Sequence, residues 1–140
     1  MKTGPKIKAI LIDPFQMELY PVQVERDNPV ESAKLLDCEN VQAVNLGLVA
    51  RGADHYGWVD EEGLLRTPFV YPHFVIPTAN GGHPLAGYGL VTGMTKDGQM
   101  LDCDIPITVL AGVLSFEKWR GRISIDNVIP QMLRLYNLGK

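Results

Sequence analysis

The sequence predicts an α+β domain, a mainly antiparallel or mixed sheet with two to three short helices. Three observations point there. Short alternating apolar segments recur along the chain and are punctuated by turn dipeptides such as Asp13-Pro14 and Asp97-Gly98. A capping-box start, Asn28-Pro29-Val30-Glu31, places a helix among them. The length, 140 residues, fits one core, which at that size buries about two thirds of the surface its unfolded chain exposes. The chain therefore reads as one domain, with its core over residues 6–119 and a C-terminal helix over 127–138.

Lys6–Asp13 begins as alternation and ends as a continuous apolar run, as a central strand covered on both faces should. Asp13-Pro14 turns the chain into Phe15–Tyr20, which alternates strictly and reads as the antiparallel partner. Beyond Pro21 the apolar phase shifts to Val22 and Val24, predicting a bulge with Pro21 on a sheet edge. The helix opened by Asn28 carries Val30, Ala33 and Leu35 or Leu36 as its apolar stripe, and Val41–Leu46 resumes strand character.

Arg51-Gly52-Ala53-Asp54 reads as loop and His55–Val59 as a strand. The acidic turn Asp60–Gly63 then joins that strand to Leu64–Thr67. Pro68 and Pro72 confine Phe69–Tyr71 and Phe74–Ile76 to edge or surface-crossing positions. Asp97-Gly98 makes a hairpin between Tyr88–Met94 and Met100–Cys103. Ile105–Trp119 fits a helix through Val109, Leu110, Val113, Leu114 and Phe116, although its β-branched content also permits a strand; a helix starting near Pro106 is favoured. Asn127 and Pro130 start the last helix, with Ile129, Met132, Leu133 and Tyr136 as its apolar face.

Thirteen basic against sixteen acidic residues give a net charge of −3, without the cationic surplus that duplex nucleic acid requires. No apolar run approaches the roughly 20 residues that cross a bilayer, and Met1–Pro5 is too short and polar for a secretory signal. A reducing cytoplasm is the expected compartment, that of the host for a phage-encoded chain. Cys38 and Cys103 lie far apart and form no zinc or redox pair, so both read as buried small hydrophobes.

The order of elements resembles a family of small phage and plasmid proteins known only as a domain of unknown function. The resemblance is carried by Ile10-Leu11-Ile12-Asp13-Pro14, the acid-rich Asp60-Glu61-Glu62-Gly63-Leu64, the glycine-flanked Ala86–Gly93 and the turn Lys96-Asp97-Gly98. It covers Ile7 to Trp119; the stretch Val49–Asp54 and the tail after Arg120 have no counterpart. It implies a mobile-element accessory protein that inhibits or sequesters a host component, and it brings no catalytic residues with it.

Asn80–Gly93 holds five glycines, a histidine and a tyrosine between apolar segments. Gly87, Gly89 and Gly93 read as strand glycines, since their spacing does not match a dinucleotide fingerprint. The candidate ligand-binding residues are Asn80, Gly81, Gly82 and His83, whose turn can offer amides to an anion, together with His73 and Tyr88. His55, His73, His83 and Asp54 lack metal-ligand spacing, and no metal or cofactor is implied. Asp102 and Asp104 read as residues preceding a helix, not as a catalytic pair. Ser32, Ser115 and Ser124 sit in no nucleophile elbow. Lys118, Arg120, Arg122, Arg134 and Lys140 around Trp119 read as solvated charges near helix ends.

The expectation is a protein that works by binding a protein partner or a small nucleotide-like ligand, with self-association into a homodimer through sheet edges. One alternative is a small enzyme acting on a phosphorylated metabolite or nucleotide, with His73 or His83 as base. Another is a structural or assembly component.

Overall fold

The computed structural model describes residues 6–62, 72–82 and 84–117. Leu64–Thr67, Phe69–Tyr71, His83, Trp119 and the helix expected over 127–138 lie outside them. The order of elements is β1 (Lys6–Asp13), β2 (Glu18–Glu25), α1 (Pro29–Leu35), β3 (Val41–Ala50), β4 (Ala53–Asp60), β5 (His73–Val75), a 3-10 turn (Asn80–Gly82), β6 (Leu85–Ala86), β7 (Gly89–Met94), β8 (Met100–Leu101), α2 (Ile107–Val113) and β9 (Ser115–Glu117). The main sheet runs β2-β1-β7-β4-β3 with β8 also on β7, and a small sheet runs β6-β5-β9. All described pairings are antiparallel. The fold is α+β, on a mainly antiparallel sheet with two short helices among the described residues.

The sheet is apolar on both faces. Ile10 and Ile12 join Val59, Val91, Phe74, Leu85 and Leu110 in the larger core, beneath the small sheet and α2. Ile7 and Ala9 point the other way and join Val24, Leu36, Leu90 and Met100 beneath α1. Alternation along β1 thus feeds two cores, as a two-faced strand must. The centre of the five-strand order is nevertheless β7, buried from Gly89 through Gly93. Its glycines conceal that position in the sequence.

Those glycines are spaced for packing. A Cβ at Gly89 would stand 2.7 Å from Cζ of Phe74, and one at Gly57 would stand 3.0 Å from Cδ2 of Leu46. In the β4–β7 register Val59 is opposite Gly89, Gly57 opposite Val91 and His55 opposite Gly93. Each of these cross-strand pairs therefore combines one glycine with one larger side chain, leaving room for the covering layer.

The β1–β2 register is continuous from Lys6 opposite Glu25 to Asp13 opposite Glu18, so the expected bulge at Pro21 is absent from it. The phase shift has another cause. Leu19 packs against the larger core while Val22 packs against the other, so successive parts of β2 are apolar on different faces. Pro21 does lie on an edge strand.

Asn28 caps α1 as its sequence predicts, accepting the Glu31 N–H at 3.1 Å on its side-chain oxygen. The Glu31 carboxylate reaches back to the Glu25 N–H at 2.5 Å instead of the cap amide, tying α1 to the end of β2. Between β3 and β4 the expected loop is a two-residue turn, Arg51 (φ 51°) and Gly52 (φ 75°), whose positive φ pair matches sheet twist. A bulge interrupts β3 after Asn45. There Gly47 has φ 71°, and a Cβ would meet Thr78 Cβ at 2.8 Å, so the close approach of the Thr78 loop requires glycine.

The chain leaving β8 stays on the sheet by a mixed ladder. The Cys103 N–H donates to the Lys8 carbonyl at 2.8 Å, and the Lys8 N–H donates to the Asp102 carboxylate at 2.8 Å. α2 follows after Pro106, and Leu114 at its end is extended (φ −97°, ψ 146°), turning directly into β9. Ile105–Trp119 thus divides into a helix and then a strand, as far as Glu117.

Candidate functional site

The structure separates the residues that the sequence grouped. Asn80–Gly82 is a 3-10 turn with Gly81 at φ 63° and Gly82 at φ 80°. The Gly82 N–H donates to the Ala79 carbonyl at 2.8 Å, and the Ala79 N–H donates to the Ile76 carbonyl at 2.9 Å. The Gly82 amide expected to serve an anion is therefore spent inside the turn. His73 lies in β5 opposite Ala86 and is 1 % exposed. Tyr88 belongs to the core beneath α1, on the other side of the main sheet from the small sheet, with its ring 4.9 Å from that of Phe15. His73 and Tyr88 thus lie on different layers of the fold.

His55, fully buried, has a structural assignment. Its Nε2 accepts the Asp104 N–H at 3.0 Å, which places the ring proton on Nδ1, 3.1 Å from the Ala53 carbonyl. Asp102 and Asp104 have different partners: Asp102 bonds Lys8, whereas the Asp104 carboxylate lies 3.9 Å from Arg51. Among the described residues no group of three or more His, Cys, Asp or Glu is placed to hold a metal ion. No helix among them is long and apolar enough to cross a membrane.

Gly81, Gly82, His73 and Tyr88 line none of three concavities formed by described residues. The first, about 240 Å³, lies beside the start of α1 against Val41, Trp58 and Met100. Its polar groups are largely paired: Trp58 donates to Thr92 Oγ1 at 2.9 Å, and the Met100 N–H donates to Asp27 at 3.0 Å. The second, about 330 Å³, lies between Lys8, Pro21, Arg51 and Ile107. The third, also about 330 Å³, is a groove between the β1–β2 hairpin and α2, lined by Met17, Glu18, Leu19, Thr108, Ala111 and Phe116.

The third groove adjoins an unusual helix. Ile107–Val113 contains no charged residue and no side-chain cap, yet only Leu110 is fully buried. Met17, across the groove, is 48 % exposed, and Val109 (50 %) and Val113 (37 %) are exposed on α2 outside the groove's lining. A short helix that is apolar all round is ordinarily enclosed; here its outer side and the hairpin tip face solvent. In the sequence Val109 and Val113 fit the same helical pattern as Leu110 and Leu114, and periodicity alone does not separate the buried from the exposed. The missing charge on any face of the helix was the available signal.

Comparison of this chain with protein families, with curated proteins and with solved structures found no match.

Proposed function

We propose that this chain is a small accessory protein of phage or plasmid type that acts by binding a protein partner through α2 and the β1–β2 hairpin tip. The observation that carries this reading is a largely apolar groove between Met17 and α2, a helix without charge that also exposes Val109 and Val113 outside the groove's lining. Exposed apolar surface beside a groove is what a protein interface buries, and apolar anchors in pockets supply most of its binding energy.

Among the described residues Glu18 is the one charged side chain lining that groove. The complementary partner presents an apolar side chain to the groove with a basic residue beside it. Inhibition or sequestration of a host component is the role that the resemblance in element order implies. A nucleotide-like ligand at Asn80–His83 has less support, because the Gly82 amide is already bonded. An enzyme using His73 as base would need that residue, 1 % exposed, to reach a substrate.

A photo-reactive amino acid placed at Val109 tests the proposal in lysate of the natural host, with Lys96 in the distant β7–β8 turn as control position. The expected result is a discrete adduct at Val109, lost on Val113→Glu and absent at Lys96. Equal labelling at both positions, or none at either, overturns it.

A further inference from the structure

The two edges of the main sheet are unlike. β2 closes one edge with Glu18, Pro21 and Glu25, residues that deter pairing by charge and by the missing proline N–H. β3 closes the other with Val41-Gln42-Ala43-Val44-Asn45-Leu46-Gly47-Leu48-Val49-Ala50, ten residues with no charge and no proline. The bulge after Asn45, where Thr78 Oγ1 donates to the Leu46 carbonyl at 2.5 Å, obstructs the middle of this edge. Before it, Val41–Asn45 is regular in its pairing with β4. Among the described residues no backbone group outside β4 bonds this run.

We propose that two copies of this chain pair β3 with β3 across a two-fold axis at Ala43, joining their sheets into one. The uncharged edge argues for a second copy as the occupant. In an antiparallel self-pair every residue meets its own strand reversed, so any charge would face or adjoin its like; this strand has none. Centred on Ala43, the pairing sets Val41 opposite Asn45 and Gln42 opposite Val44 of the other copy, with no ionic conflict. The edge lies at the end of the sheet away from β2, so the α2 groove stays open, and the inference does not rest on the proposed partner.

Two Ala43 residues paired this way have Cα atoms about 4.5–5.5 Å apart, within the roughly 4.4–6.8 Å that a disulfide spans. The experiment combines light-scattering mass with cross-linking of an Ala43→Cys variant in a Cys38→Ser background, leaving buried Cys103 in place. The expected results are a mass of twice the 15.5 kDa chain and a covalent dimer on oxidation. Gln42→Lys, at an exposed position within the paired run, sets the lysines of the two copies diagonally across the axis and should give the single-chain mass with an unchanged circular dichroism spectrum. A single-chain mass for the unaltered protein at all concentrations overturns the proposal. So does a dimer in which the Ala43→Cys variant fails to cross-link, or one that Gln42→Lys leaves intact.

Discussion

His55 and Asp104 are joined by one hydrogen bond, 3.0 Å from the Asp104 N–H to Nε2 of the buried ring, across 49 residues of sequence. The bond ties the β3–β4 hairpin to the connector that leads into α2, and so fixes where the exposed helix stands. His55→Asn keeps a smaller polar group but moves the acceptor away from the Asp104 N–H. Leaving the amide unsatisfied should cost about 1–3 kcal/mol, read as a lower urea midpoint at unchanged slope.

Gly89 and Gly112 should respond to alanine with opposite signs. At Gly89 a Cβ would stand 2.7 Å from the Phe74 ring, so Gly89→Ala should destabilise by about 1–3 kcal/mol through overpacking. Phe74→Leu added to that variant should recover part of the loss, which a double-mutant cycle reads as coupling. At Gly112, in α2, nothing lies within 4 Å of the Cβ site. Gly112→Ala should raise stability by up to about 1 kcal/mol through helix propensity.

Tyr20 should titrate late. Its hydroxyl donates to the Glu18 carboxylate, and that bond, with the nearby negative charge, pushes its pKa up to about 12 from 10.0. Between those two values the unfolded chain has lost the proton that the folded chain keeps. This bond's contribution to stability is therefore present below pH 10 and is lost as pH rises toward 12. Ultraviolet titration should show one tyrosine ionising above the others, and Glu18→Gln should return it toward the ordinary value.

Cys103 should react slowly with thiol reagents in the folded protein. Burial pushes its pKa up and hides the sulfur, which is also 3.7 Å from the Ile105 carbonyl; Cys38 is only half-buried. Mass spectrometry after brief alkylation should find label on Cys38 first, with Cys103 modified only after denaturation.

Local chemistry made some of the fold legible and left the rest hidden. The α1 start could be read because the Asn28 cap and Pro29 act within the helix's first turn, and the Asp97-Gly98 turn because its bonds are equally local. The Arg51-Gly52 turn could not, because Arg51 takes a positive φ that its residue type disfavours and that only the long β3–β4 pairing compensates. The candidate site was read least well. His73 and Tyr88 belong to different layers, and β5, which carries His73, is flanked by β6 and by β9, some forty residues further along the chain. Val109 and Val113 carry the same apolar signal as Leu110 and Leu114, and only the packing of α2 decides which pair faces solvent.

Calorimetric titration with the purified cross-linked partner decides whether α2 and the hairpin tip form the binding surface. Val109→Glu with Val113→Glu should weaken binding at least about tenfold, equal to 1.4 kcal/mol or more, while Asn80→Ala with His83→Ala leaves it unchanged. Binding that survives the two glutamates but is lost with Asn80 and His83 would contradict the account and return the site to the glycine turn.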